Sequence, residues 1–423
     1  LHYIRWFKRL VIITLLLVIA PAARPIFSDP APVSLLIEKQ GKAANGTPEQ
    51  RIMAAIDAIR GGQIADATAT VEALLAEHPN YRLAHLLRGD LYAMRAQPLD
   101  RIGGGVEGNN LASQLEDLRL EAYQRNQYRL NPPHVNKLPG NLLVFADEMK
   151  HAILVDTRAS RIYVYANDNG TPRYVTDFYV TIGKLGFDKY KEGDQRTPLG
   201  VYFVTGHLPR EQLDKSYGAQ ADLYGVGAWP ISYPNELDRT QGRTGHGIWL
   251  HGVPAATYAR APLASNGCVA LTNPEMQKLA EYLQLGKTAV VIVPGIQWLD
   301  QAAWDKQHEA AKATLENWRT AWAERQTSRY LNFYSDSFRS DDGLNIRSWS
   351  EQKAAVNNSK EWVKIDLNDV SIFAAGENAS QLVTSFEQDY RSNNLDNRMK
   401  KRLYWQREGE GWRIVWEGSS NAG

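Results

Sequence analysis

A single cysteine, Cys268, stands in a chain of 423 residues, which excludes an internal disulfide. That thiol is then a buried apolar filler, an intermolecular link or a reactive group. No second cysteine and no tight His/Asp/Glu grouping supplies three or four ligands, so no metal site and no cofactor is expected. Excess charge of either sign is lacking too: 48 Lys and Arg face 47 Asp and Glu. With neither a basic face nor an acidic tail, nucleic acid and anionic membrane surface are poor partners. The apolar run from Leu10 to Ala20 falls short of the about 20 residues that span a bilayer. Arg5, Lys8 and Arg9 precede it and Pro21-Ala22-Ala23 follows, the form of a secretory signal. Residues 1–28 therefore read as a signal peptide, or as an anchor if uncleaved, and the protein as exported.

The length implies two or three domains. Thr47-Pro48-Glu49-Gln50 carries a capping box and an early proline, and Ile52, Ala55, Ile56 and Ile59 follow at helical spacing until Gly61-Gly62. A second helix carries Ala67, Val71, Leu74 and Leu75, and a third runs from Tyr81 through Leu87 to Leu91. This segment, residues 44–130, resembles one or two tetratricopeptide units. It is either a spacer or a surface for a periplasmic protein partner, and is too short to bury a core alone. Beyond Gly103-Gly104-Gly105 and Asn131-Pro132-Pro133 the period changes. Residues 152–156, 161–165, 177–182, 201–205 and 289–293 are short β-branched and aromatic runs, which predicts a mostly β domain over 148–296. From about Trp304 a helix with Leu315, Trp318 and Trp322 on its apolar side begins, with Phe333 and Phe338 in its tail. Strands follow at 363–367, 382–386, 403–406 and 412–417. Residues 304–420 thus resemble the α+β cone, cystatin-like, of nuclear-transport-factor-2-like (NTF2-like) domains. Eight of twelve tryptophans lie after residue 300, forming a ligand pocket or a packed core.

The chemistry is concentrated in Gly242-Arg243-Thr244-Gly245-His246-Gly247-Ile248-Trp249-Leu250-His251-Gly252 and Ser265-Asn266-Gly267-Cys268-Val269-Ala270-Leu271. The lone thiol sits in a tight turn after a strand ending in histidine. A thiol needs a base to become a nucleophile, and an imidazole can take its proton. Strand alternation puts His251 and Trp249 on one face and His246 on the other, so His251 is the expected base. Gly267 leaves room for a substrate carbonyl, and the N–H groups of Gly267 and Cys268 are the expected oxyanion donors. Arg243, Lys184, Tyr190, Arg196 and Arg260 are candidate substrate contacts, Arg243 foremost because it directly precedes the His251 strand, and a guanidinium can bind a carboxylate in bidentate fashion. Ser265, Asn266, His246 and Trp249 complete the expected substrate contacts.

His251-Gly252 with Ser265-x-Gly267-Cys268-Val269 resembles the signature of the L,D-transpeptidase (YkuD-type) catalytic domain, as does Thr197-Pro198-x-Gly200-x-Tyr202 with Gly183-Lys184. The resemblance covers about residues 150–294. It implies a β-sandwich-like domain whose cysteine attacks the meso-diaminopimelate carbonyl of a peptidoglycan stem peptide in the periplasm. It implies also that the Gly252 carbonyl orients the histidine. Two departures stand out, Asn266 where the family often has histidine and Ala270 where it often has arginine or asparagine. The basic side chain next to the nucleophile is absent, which favours hydrolysis (L,D-carboxypeptidase or amidase type) over transpeptidation. The same departures leave open a catalytically silent wall-binding or scaffolding protein.

Overall fold

The structure, a computed structural model, describes residues 46–106, 111–130, 132–133 and 136–420. The signal-like segment 1–28 lies outside them. Among the described residues no helix is long and apolar enough to cross a membrane, and no group of three or more His, Cys, Asp or Glu is placed to hold a metal.

The helical module consists of Pro48–Arg60, Ile64–Glu77, Arg82–Ala93 and Ala112–Leu130. Thr47 caps the first helix with both halves of the capping box formed. The apolar positions Ile52, Ile56, Val71, Leu74, Leu83 and Leu87 close on one another, and Ala259 and Tyr258 of the next module join that core. The module therefore leans on the β domain, as its small size requires.

In that β domain, a five-stranded sheet runs in the order Thr171–Tyr179, Arg161–Asp168, His151–Asp156, Ala289–Val293, Gly200–Phe203. The central pair, His151–Asp156 and Ala289–Val293, is parallel and its other neighbours antiparallel. Alternation sends Ile153, Val155, Val290 and Ile292 to one face, where they meet Trp229, Leu250 and Val269 of a four-stranded sheet. That second sheet runs Val269–Ala270, Trp249–His251, Gly227–Pro230, Leu208–Pro209. The intervening residues Leu154, Val291 and Val293 face the other way, onto Phe373, Ala375, Val383 and Trp416. Burial on both faces explains why these strands read as unbroken apolar runs rather than as alternations.

The C-terminal domain is a helix, Gln301–Ala323, laid in a six-stranded sheet of Tyr334–Ser340, Gly411–Ser419, Leu395–Glu408, Gln381–Ser392, Val363–Ala375 and Leu142–Val144. Its strand at Val363–Ala375 splits its side chains, Phe373 and Ala375 to the five-stranded sheet, Ile372 and Ala374 to the helix. Glu236 of the β domain accepts from Arg402 at 3.0 Å and from the Tyr404 hydroxyl at 2.7 Å, fastening the two domains. Trp304, Trp318, Trp322, Trp349, Trp405 and Trp416 are buried, so most of the tryptophan-rich region is packed core. Phe338 departs from its expected place: it belongs to the strand Tyr334–Ser340, not to the tail of the helix. That strand and the helix Ile346–Asn358 have too few apolar residues in sequence to announce themselves, since Ser335 and Ser340 occupy buried positions.

Candidate active site

The site lies on the four-stranded sheet. Trp249–His251 pairs in parallel with Val269–Ala270, with Leu250 opposite Val269 and His251 opposite Ala270. Leu250 and Val269 point into the sandwich core. Their neighbours His251 and Cys268 therefore lie on the opposite face from Leu250 and Val269. Cys268 Sγ donates to the Gly247 carbonyl at 3.3 Å, and the Trp249 N–H donates to the sulfur. His251, buried, has its Nδ1 2.5 Å from the Gly252 carbonyl. A carbonyl can only accept, so Nδ1 carries the proton and Nε2 is left unprotonated, able to take one.

The loop that holds this carbonyl is clamped by Asn273, a residue sequence reasoning passed over. Its Oδ1 accepts from the N–H groups of Val253 at 3.0 Å and Val226 at 3.2 Å, and its Nδ2 donates to the Val253 carbonyl at 2.9 Å. The amide occupies the space a side chain at Gly252 would need, 2.1 Å from where its Cβ would stand. Asn273→Ala is expected to lower kcat by about tenfold to a hundredfold, the usual loss when a supporting hydrogen-bond partner is removed. KM should stay within about twofold, since the mutation touches orientation of the base and not substrate binding. Steady-state kinetics on purified muropeptides check both, and an unchanged kcat would remove the clamp from catalysis.

Gly267 has a structural reason different from the expected one. Its φ is +121° and a Cβ would stand 2.7 Å from the Arg196 carbonyl, so the close approach is made by the chain itself. Ser265 Oγ accepts from the Gly267 N–H at 3.1 Å and donates to the Cys268 carbonyl at 2.6 Å. The Gly267 N–H is thus spent inside the turn and is not aimed at a substrate; the expected pair of oxyanion donors reduces to Cys268 N–H. Ser265, buried, is a turn-former rather than a substrate contact. Thr197 Oγ1 closes the same turn by donating to the Gly267 carbonyl at 2.9 Å.

The other expected contacts separate. Arg243 does not face the thiol: its Nη1 donates to Asp188 at 2.7 Å and to the Lys189 carbonyl at 2.5 Å, and its Nε lies 3.9 Å from Asp238. It lines a cavity of about 240 Å³ shared with Glu377, Gln381 and Tyr404 of the C-terminal domain. His246 is exposed, 3.8 Å from Glu192, on the outside of the site. Asn266 and Lys184 are exposed as well. Trp249, half-buried, joins Tyr224 and Tyr217 in an aromatic wall with centroid separations of 4.7 and 6.0 Å, and Tyr224 stands edge-on to His251 at 5.3 Å. Neither tyrosine was legible as a site residue, because each lies more than 20 positions away in the chain. Arg260, also expected to meet a carboxylate, donates from its guanidinium to the Ala264 carbonyl beside the nucleophile turn.

Burial sets the electrostatics. It pushes the Cys268 thiol up to about 11, against the opposing pull of the Trp249 N–H, Arg260 and Lys189. It pushes His251 down to about 4, only partly offset by the Gly252 carbonyl. The resting pair is therefore neutral at pH 7, not thiolate and imidazolium. kcat/KM is expected to hold through pH 6 and to fall only as pH approaches about 4, where Nε2 takes a proton. A half-maximal point at pH 6 to 7, the range of an ordinary imidazole, would contradict a neutral pair. The stability contribution has the same direction: unfolded histidine binds its proton near 6.5, so this contribution is complete above that pH and is lost as pH falls through about 4.

Residues 150–292 match the L,D-transpeptidase catalytic domain (YkuD), and residues 310–418 the Cds6 C-terminal NTF2-like domain. Among solved structures the chain is similar to Bd1075 of Bdellovibrio bacteriovorus, with 28% identity over 67% of this chain and 98% of that one, at a TM-score of 0.59. It is similar also to the helical cell shape determining protein Pgp2 of Campylobacter jejuni, with 27% identity over 70% of this chain and 99% of that one, at a TM-score of 0.55. Comparison with curated proteins gives no significant match. Two successive stretches of the chain thus match an L,D-transpeptidase catalytic domain and an NTF2-like domain.

Proposed function

We propose that this protein is a periplasmic cysteine enzyme that cleaves peptidoglycan stem peptides at the meso-diaminopimelate carbonyl, passing the acyl group to water in preference to an amine. The reading is carried by one observation, the bond from His251 Nδ1–H to the Gly252 carbonyl, which leaves Nε2 as a base on the face shared with Cys268. The thiol proton passes to Nε2 as the sulfur attacks the carbonyl. The tetrahedral oxyanion meets the Cys268 N–H, and collapse expels the leaving amine, which takes the proton back from Nε2. Water then attacks the thioester while giving a proton to Nε2, and the returning proton regenerates the thiol. With the thiol held up and the imidazole held down, charge develops only as the sulfur attacks.

Hydrolysis is supported by the residue two places beyond the nucleophile. Ala270 is buried and bridged to Thr181 through two backbone bonds of 2.9 Å, and it presents no basic side chain to an acceptor stem. The similarity to Pgp2 supports a role in cell shape. Incubating the protein with purified muropeptides and a D-amino acid, followed by mass analysis, tests the reading. Shortened stems without exchange products are expected; exchange products would make it a transpeptidase.

A further inference from the structure

The segment that leaves the base does not stay within the catalytic domain. From Val253 to Pro262 it crosses the helical module before returning to Ser265. Asn80, in the corner Pro79–Tyr81 between two helices, donates from Nδ2 to the Ala255 carbonyl at 2.9 Å, and its own carbonyl accepts from the Tyr258 N–H at 3.2 Å. The Tyr258 ring lies against His78 and Tyr81, at centroid separations of 4.4 and 4.6 Å. Ala259, buried, completes the helical core. The residue after it is Arg260.

Arg260 is held from both ends. Its carbonyl accepts from the Tyr179 hydroxyl at 3.0 Å and from Thr181 Oγ1 at 3.2 Å, and its guanidinium donates to the Ala264 carbonyl next to the nucleophile turn. Its charge opposes the burial of the Cys268 thiol and disfavours protonation of His251. Among the described residues no carboxylate lies within ion-pair distance of it, although most of the other partly buried arginines have one. A half-buried guanidinium without a counter-ion beside a nucleophile is an anion site in waiting.

We propose that Arg260 binds the carboxylate of the incoming stem peptide, and that the Pro79–Tyr81 corner of the helical module holds it there through the Val253–Pro262 segment. The helical module is then part of the substrate site and not an appended spacer. The proposal rests on Cys268 being the attacking group, and its test is independent of turnover.

Cys268 is the only thiol, so its alkylation by iodoacetate and by iodoacetamide can be followed on the whole chain at pH 9. The ratio of the two rates reads positive charge at the sulfur. Arg260→Gln is expected to lower that ratio about three- to tenfold, the effect of one unscreened charge at close range. Asn80→Ala should lower it in the same direction, by letting the loop withdraw, while the iodoacetamide rate changes by less than about twofold. The double variant should match Arg260→Gln alone, because Asn80 acts through that guanidinium. An unchanged ratio in Arg260→Gln overturns the carboxylate site. A wild-type ratio in Asn80→Ala, or a further fall in the double variant, overturns the clasp. Absence of any muropeptide cleavage by the wild type would sink the enzymatic reading and leave these rates interpretable.

Discussion

Cys268→Ala is expected to abolish stem-peptide cleavage, with a loss on the order of 10³-fold or more in kcat/KM and no loss of fold. The expected size comes from the role: no other thiol exists in the chain, the Ser265 hydroxyl is engaged within the turn, and removing an attacking group leaves only binding and oxyanion contacts to act. The fold should survive because the thiol's polar contacts are a weak bond to the Gly247 carbonyl and one from the Trp249 N–H. Their loss is of the order of 1 kcal/mol. Mass analysis of muropeptides incubated with wild type and variant, together with thermal unfolding of each, checks both halves. Activity retained by the variant would remove Cys268 as the nucleophile. An inactive wild type with an intact fold would favour the silent wall-binding reading. Because burial holds the thiol protonated, sluggish alkylation near neutral pH does not by itself argue for that reading.

The largest stability effect is expected at a site far from the chemistry, on the face where the helical module meets the five-stranded sheet. Arg161 is almost wholly buried there. It donates to Glu49 of the first helix at 2.7 Å and pairs with Asp177, and its guanidinium lies 3.6 Å from the Tyr128 ring centroid. Arg125, equally buried, holds Glu49 at 3.0 Å and Glu121 at 3.0 Å. Arg161→Met keeps the volume and removes the charge, leaving two carboxylates with one cation fewer. Breaking a buried pair in this way costs about 3–5 kcal/mol. The lower end is expected, because Arg125 stays with Glu49. Although burial opposes it, Glu49 is held below its ordinary value by Arg161 and Arg125. Its contribution is thus complete above about 4.5 and fades as pH falls through the lowered folded value. The gap between wild type and variant should therefore narrow in acid. Urea unfolding at pH 7 and pH 4 measures it, and a variant as stable as wild type at pH 7 would mean the network is neutral in net effect. A separate early transition in the variant would show the helical module detaching first.

This network, like the Asn80 clasp, joins residues that no local pattern connects. Glu49 reads in sequence as the second residue of a capped helix, and Arg161 as the first residue of a strand. Nothing in either neighbourhood states that they meet across 112 positions. The proposed pair of His251 and Cys268 is more legible, because a strand ending in His251 and a Gly-Cys turn 17 residues later are both local features, and a base and a nucleophile are chemically complementary. Arg243 misled because nearness in sequence to the His251 strand is not nearness to the thiol: Asp188 and Asp238 draw it toward the C-terminal domain. The Gly267 N–H misled because sequence cannot show that Ser265, two residues earlier, already accepts it.

By itself the sequence settled the local matters: capped helices at the start, β-branched runs in the middle, a helix and then strands at the end, and one thiol in a glycine turn after a histidine. Those follow from periodicity, turn chemistry and a count of one, which act over a few neighbours. Only the tertiary structure decided that both faces of the central sheet are buried, that Asn273 braces the carbonyl bonded to His251, and that Arg260 lies along the nucleophile turn while Arg243 pairs with Asp188. Such placements depend on which distant surfaces exclude water together and which buried charges find partners, and neither condition is written in any one stretch of chain.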